Sequence, residues 1–409
     1  MSAQYNVFQQ IFGLSLASNL LGQCKGTAPM LQQQLSKELP AALNQAGPGW
    51  KVVWGPVVWK HDDSNDSPID NACFIAKNDE LFFDDDGISR PAFVIAIAAT
   101  ASQWTWYNED FAIAQVVDLD QWTAAGLESI SQEPNLIPQN KAQSDNALIT
   151  NGFGLAVYQL LNNVPPEGSP GYPHKLPEFL LQTTFTSSRP TPKLVITGHS
   201  LGGALSPILA YTCLKANVLG PFSQKDVYVY PTAGPSPGNM TFAKNFASLF
   251  PPPASASGLM GYQHWNCNIV CDLDPVPCAY CIDTDEKFLK LQRLLTIYGK
   301  APGWVVGAVF SLAYIANGIY YPITSSLFNS EYPVPSEPFQ TAEEWLDMAH
   351  LQHVDAYTLE VLDMPHPPRG VCAQLSKEEE QMLYPVLQSV ARAKLVHESG
   401  SKLAAEAGI

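Results

Sequence analysis

Charge is what this chain has least of. Only 15% of its 409 residues are Asp, Glu, Lys or Arg, where an ordinary globular chain carries about a quarter. Basic residues are scarcer still: 22 Lys and Arg face 38 Asp and Glu, a formal net charge of −16. That balance argues against a nucleic-acid partner, because neutralising phosphates takes clustered Lys and Arg. It gives no attraction to an anionic membrane either, so any contact with lipid must be apolar, and an acidic surface favours solubility. Met1 to Gly22 holds no Lys or Arg, so the positive stretch that opens a secretory signal is missing. Either the chain is not exported by that route or its sequence starts after the cleavage point. No internal repeat is present. The acidic stretch His61 to Asp66 fits no calcium-loop spacing and reads as a solvated loop.

Apolar residues are plentiful, 46% of the chain. They allow a large core, and the length suits one α/β domain with insertions. Residues 1–50 read as partly helical up to the turn Gly47-Pro48-Gly49. Lys51 to Trp54, Val57 to Lys60 and Asn71 to Ala76 are strand-like. Ala92 to Ala99 is apolar without alternation, as in a strand buried on both faces. Lys193 to Thr197, Asp226 to Tyr230 and His264 to Val270 are further strands. Helical stretches at Gly152 to Leu161 and Leu201 to Ala216 alternate with them, which implies a mostly parallel sheet with helices on both faces.

The strongest local signal is G-H-S-L-G-G at 198–203. It follows a strand and precedes a helix, the context that a G-x-S-x-G nucleophile elbow requires. The turn lifts the Ser200 hydroxyl clear of the sheet. Gly198 and Gly202 flank it because the backbones pack closely there. The amide of Leu201 then opens the helix, where an N–H and the helix dipole together stabilise an oxyanion.

The stretch V-I-T-G-H-S-L-G-G-A ending at Ala204 resembles the core motif of the class 3 lipase family. Phe93 to Ser102, Asn151-Gly152-Phe153, Val229 to Asn239 and Ile269 to Pro277 are similar to further family stretches in the same order. The resemblance spans roughly residues 70–365. It implies an α/β-hydrolase-like fold, with a mostly parallel central sheet, helices on both faces and lid insertions. It also implies a serine carboxylester hydrolase acting on lipid esters, triacylglycerol first, with phospholipase A1 or a feruloyl-type esterase as the alternatives. No cofactor or metal is called for. A lipase-like binding protein that had lost a catalytic residue is the alternative from another class. The family resemblance leaves secretion open and the compartment unassigned.

A serine hydroxyl needs a histidine to take its proton and a carboxylate to orient that histidine. In such folds the order is Ser, Asp, His. Four aspartates cluster in the chain after Ser200: Asp272, Asp274, Asp283 and Asp285. Asp274 is preferred, because it opens D-P-V-P directly after a strand and resembles the family's D-x-V-P aspartate. His264 precedes that loop, which leaves His350, His353, His366 and His397. His353 is preferred over His350, since His353 with Tyr357 resembles the family's terminal His and Tyr, and a Tyr four residues on shares its helix face. His199 has the family's packing role. Thr100 falls on the second oxyanion donor, although the Gly and Arg usual in that loop are absent.

Ala301 to Ser330 carries no charge, and Trp304 to Ile323 is mostly apolar. Its length matches a membrane span, but its Gly, Asn and Tyr content favours a buried or lid helix pair over a stable transmembrane anchor. The expected organisation is one domain over 1–409. It has an N-terminal extension at 1–70, a lid candidate at 104–150, an apolar lid or cap insertion at 285–345 and a C-terminal helix at 373–409. The substrate would be met at a lipid–water interface. Of the eight cysteines, Cys267, Cys271, Cys278 and Cys281 surround Asp274 as thiols, disulfides or zinc ligands, with buried thiols favoured.

Overall fold

The computed structural model describes residues 5–61, 67–83, 87–99, 112–185, 190–252 and 261–372. The chain opens with two packed helices, α1 (Val7–Ser18) and α2 (Ala28–Ala46). Asn6 starts α1 with a reciprocal capping box: its side chain accepts from Gln9 N, and its own N–H donates to the Gln9 side chain. Thr27 caps α2. Both devices satisfy first-turn N–H groups that no helix can satisfy internally.

A sheet of seven strands follows: β1 (Lys51–Trp59), β2 (Asn71–Phe82), β3 (Ser89–Ile97), β7 (Lys193–His199), β8 (Val227–Thr232), β10 (Asn268–Cys271) and β12 (Ser325–Phe328), in the spatial order β1-β2-β3-β7-β8-β10-β12. β1, β2 and β3 pair antiparallel, and β3, β7, β8, β10 and β12 run parallel. The apolar run read as a buried strand is β3, whose residues Ala92 to Ile97 are all buried. Parallel strands covered on both faces have no polar side to show, so their sequences do not alternate.

Helix α3 (Asn151–Asn162), α4 (Leu176–Gln182), α5 (Leu201–Lys215) and α6 (Met240–Leu249) cover one face. On the other, α1 and α2 share a core with β2, β3, Tyr230, Tyr357 and Val361. A second sheet of five strands, β4 (Gln115–Asp118), β5 (Leu136–Pro138), β6 (Leu148–Thr150), β9 (Gly238–Asn239) and β11 (Tyr320–Tyr321), is antiparallel in the order β11-β9-β6-β4-β5.

Three expectations need correction. The uncharged stretch is not a helix pair: it is one helix, α7 (Gly303–Ala316), followed by β11 and β12. Asn317, in the left-handed conformation, ends α7, which leaves room for strands to pair with both sheets. No helix among the described residues is long and apolar enough to cross a membrane. The strand read from His264 begins only at Asn268. The helix read from Ala349 starts at Ala342 as α8 (Ala342–His350), winds into a π-helical turn at Leu351–Asp355, and resumes as α9 (Ala356–Leu362). The expected helix at 373–409, and Thr100, lie outside the described residues.

The stretch 285–345 is rooted beside Asp274. α7 packs with Leu291, Tyr298, Trp345 and Leu346 in a separate small core that Leu273 joins. Tyr298 Oη donates to the Leu273 carbonyl at 2.8 Å, and the Arg293 guanidinium donates to the Asp272 carbonyl. Its far end meets the other lid candidate: Tyr320 Oη donates to the Ile113 carbonyl at 2.5 Å, and Gln139 Nε2 to that of Ile315 at 3.1 Å. The stretches 104–150 and 285–345 thus both contribute described strands to the antiparallel sheet.

Candidate active site

Ser200 sits at the carboxyl end of β7, the edge where ligands meet sheets of this kind. Its φ is 57° and its ψ −120°, a left-handed backbone that a residue with a side chain adopts only when its surroundings hold it there. Two contacts hold it: Ser200 N donates to the Thr232 carbonyl at 2.9 Å, and Ala204 N to the Ser200 carbonyl at 3.1 Å. The flanking glycines are steric necessities. A Cβ on Gly198 would lie 2.4 Å from the Gly202 backbone, and one on Gly202 would lie 2.4 Å from the Ile97 carbonyl oxygen. Leu201 N opens α5, where first-turn amides have no acceptor within the helix.

The structure brings three of the nominated residues together. His353 Nε2 is 2.8 Å from Ser200 Oγ. His353 Nδ1 is 2.9 and 3.1 Å from the two oxygens of Asp274. Asp274 is almost wholly buried, at 1% exposure. An ionised carboxylate only accepts, so Nδ1 carries the ring proton and Nε2 is left to accept from the serine hydroxyl. Asp274 lies in the turn after β10, where its Oδ1 accepts from Val276 N at 2.9 Å. The rival Asp272 instead accepts from Ser330 N at 2.9 Å. His350 stands one helical turn before His353. Burial first, and then His353, lower its affinity for a proton, against the opposing pull of Asp355. His366 pairs with Asp355 at 3.1 Å, and His397 lies outside the described residues.

Tyr357 does more than pack. Its Oη donates to Asp274 Oδ2 at 2.7 Å and accepts from Cys271 N at 2.9 Å. Burial, and then the Asp274 charge, push this phenol well above its usual range, so it remains a donor. The i, i+4 spacing from His353 was a visible signal for this contact.

His199 has a polar role that its neighbours in sequence do not announce. Its Nε2 lies 2.8 Å from the His353 carbonyl and its Nδ1 2.9 Å from Thr232 Oγ1. A carbonyl only accepts, so Nε2 carries the proton and Nδ1 takes the threonine hydroxyl. Burial and then the neighbouring His353 hold this imidazole well below its ordinary pKa, although the His353 carbonyl opposes the shift. His199 is therefore a neutral strut between the elbow and the π-helical turn. Such turns favour functional positions, because the extra residue displaces one carbonyl and redirects a side chain. Gln352 anchors the same turn by donating to the Tyr332 carbonyl at 3.0 Å.

Cys267, Cys271, Cys278 and Cys281 are buried free thiols, each pushed up to about 12 by burial. Among the described residues no group of His, Cys, Asp and Glu is arranged to hold a metal. A disulfide joins Cys24 to Cys372, a pair nearly the full chain apart that nothing local in the sequence links.

The sequence profile of the family described as Lipase (class 3) matches residues 121–283. Among solved structures, the M37 lipase superposes with a TM-score of 0.61 at 21% identity, covering 88% of this chain and 93% of that one. A Yarrowia lipolytica lipase (18% identity, 64% and 71% covered) and lipase II of Rhizopus niveus (16%, 59% and 68%) match with TM-scores of 0.38 and 0.34. No curated protein sequence matches the chain. The resemblance to class 3 lipases is borne out, as is the α/β-hydrolase-like fold.

Proposed function

We propose that this carboxylic ester hydrolase of the lipase kind cleaves lipid esters through an acyl-enzyme, with Ser200, His353 and Asp274 as its catalytic residues. The observation that carries the reading is the unbroken chain of contacts from Ser200 Oγ through His353 to Asp274, at 2.8 and 2.9 Å. Ser200 Oγ attacks the ester carbonyl while His353 Nε2 takes its proton. The tetrahedral oxyanion accepts from the Leu201 amide at the head of α5 and from the Thr100 amide. His353 returns its proton to the departing alcohol, and water repeats the sequence to release the acid. Asp274 fixes the tautomer and orientation of His353 and stabilises the imidazolium.

Lipid is favoured over a soluble ester by the surface of α7. Phe310 and Tyr314, one helical turn apart, are 65% and 87% exposed, and Ile315 follows at 38%. They stand within a segment that carries no charge, on a chain of net charge −16. A helix with an exposed aromatic face and no charge suits the acyl region of a neutral lipid surface. In this reading the chain is one domain, the 285–345 insertion is its cap, and triacylglycerol is the first substrate.

The test is hydrolysis of p-nitrophenyl esters of graded acyl length by the wild-type enzyme and Ser200→Ala. Loss of about 10⁶ in kcat with unchanged folding is expected, together with a preference for long acyl chains. Retained turnover in the variant refutes the assignment.

A further inference from the structure

Helix α1 lies against the elements that carry the site. Near its start, Tyr5 and Gln9 donate to the carbonyls of Leu362 and Val361 at 3.3 and 2.8 Å, the end of the helix that follows His353. Midway, Phe12 sets its ring edge-on to His199 at 6.3 Å between centroids. At its end stands Asn19, whose Oδ1 accepts from the backbone N–H of Ala99 at 2.6 Å, across 80 residues of sequence. The amide group cannot turn over. Its Nδ2 donates to the Ser15 carbonyl at 3.0 Å, and a carbonyl has no proton to offer, so the oxygen must face Ala99. One residue before, Ala98 N still bonds to the Ala72 carbonyl of the neighbouring strand at 2.9 Å. At Ala99 a side chain from α1 takes over from the strand. The corner is fastened from below as well: Gly370 N donates to the Leu20 carbonyl at 2.8 Å, and the Cys24–Cys372 disulfide closes beside it.

We propose that Asn19 is a positioning residue for the reaction. Its side-chain carbonyl fixes the Ala99 amide, and with it the end of the strand from which Thr100, the second oxyanion donor of the reading above, follows in sequence. The inference rests on the hydrolase reading above, and gives the residue that ends α1 a part in the reaction. An oxyanion donor acts only when it is aimed at the place where charge develops, and a small error of aim lowers kcat while ground-state binding stays. An exit fixed by one side chain is a place where that aim is set.

Asn19→Ala is expected to lower kcat on a soluble p-nitrophenyl ester roughly tenfold, with KM within about twofold of wild type. Inhibition by an alkylboronic acid, whose tetrahedral anion occupies the oxyanion site, should weaken by a similar factor. Active sites are counted by labelling Ser200 with a p-nitrophenyl phosphonate, so partial unfolding is not read as slow turnover. Gln9→Ala, on the same helix but away from β3, is the control for a mere brace: it should lower Tm while kcat per site and boronate affinity hold. Asn19→Ser, too short to reach Ala99, should repeat the alanine result and serves if that variant does not fold. Wild-type kcat and boronate affinity in the Asn19 variants, or equal losses in the Gln9 and Asn19 variants, overturn the proposal. Turnover retained by Ser200→Ala would overturn the hydrolase reading beneath it instead.

Discussion

The corner around Ser200 and the surface of α7 are held by opposite means. At the corner, Ser200, His199, Thr232, His353, Asp274, Tyr357 and Cys271 are joined by hydrogen bonds between 2.7 and 3.1 Å, each with an assignable donor. On α7 the prominent groups are aromatic and aliphatic, and apart from the Gln139 bond to the Ile315 carbonyl, what fixes the helix is area buried against Tyr298 and Trp345. Hydrogen bonds are directional, so the corner specifies positions to tenths of an ångström. Burial of apolar area has no direction, so α7 can lean on a fluid surface. Substitutions at the corner should therefore act as a switch, and substitutions on α7 as a dial.

After the loss expected of Ser200→Ala, the largest effect should come from Asp274→Asn. Without the carboxylate the imidazole loses its fixed tautomer, and kcat on a soluble ester should fall by about 10⁴, with Ser200 labelling slowed in parallel. A loss of less than about tenfold would show that the corner does not depend on its charge. The next effect belongs to the other region. Phe310→Ser with Tyr314→Ser should reduce activity on emulsified triacylglycerol about tenfold, because each ring withdraws apolar area from the lipid, while soluble short esters are turned over as before. Equal losses on both substrates would make α7 a structural element and erase the contrast.

The smallest effect is in stability against pH. His199 is neutral in the fold because its pKa lies well below the ordinary 6.5. Below about pH 6.5 the unfolded chain takes up a proton that the folded chain does not, so stability is full above that pH and declines as pH falls. His350 and His264 are lowered too and act in the same direction. Thermal unfolding should show Tm falling below about pH 6.5, and falling less steeply in His199→Phe. An unchanged slope would mean that His199 is protonated inside the fold, and that the strut to His353 is not the neutral imidazole described above.

Legibility followed locality. The elbow could be read because strand, glycines and helix lie within a dozen residues and each has a steric reason. Asp274 and His353 could be nominated from chain order, the strand end and the Tyr357 spacing together with the resemblance to the family's D-x-V-P and His-Tyr positions. The buried middle of β3, Ala92 to Ile97, could be read because two-sided burial leaves an uninterrupted apolar run. His199 could not be read as a strut, since the carbonyl it supports belongs to residue 353. Neither could the π-helical turn, which 351–355 adopts between two ordinary helices, nor Asn19, which as a sequence feature is only a polar residue ending a helix. The uncharged stretch reads as a helix pair because hydropathy does not distinguish a surface helix followed by short strands from two buried helices.

By itself, then, the sequence determined the strained serine turn, the mostly parallel sheet beneath it and the order in which acid and base follow, all of them consequences of local sterics and burial patterns. Only the tertiary structure decided which carboxylate meets the imidazole, which carbonyl His199 holds, that Cys24 pairs with Cys372, and that α7 presents its rings outward. Those are contacts between segments tens to hundreds of residues apart. Their geometry depends on how whole layers pack, and no residue's own chemistry contains it.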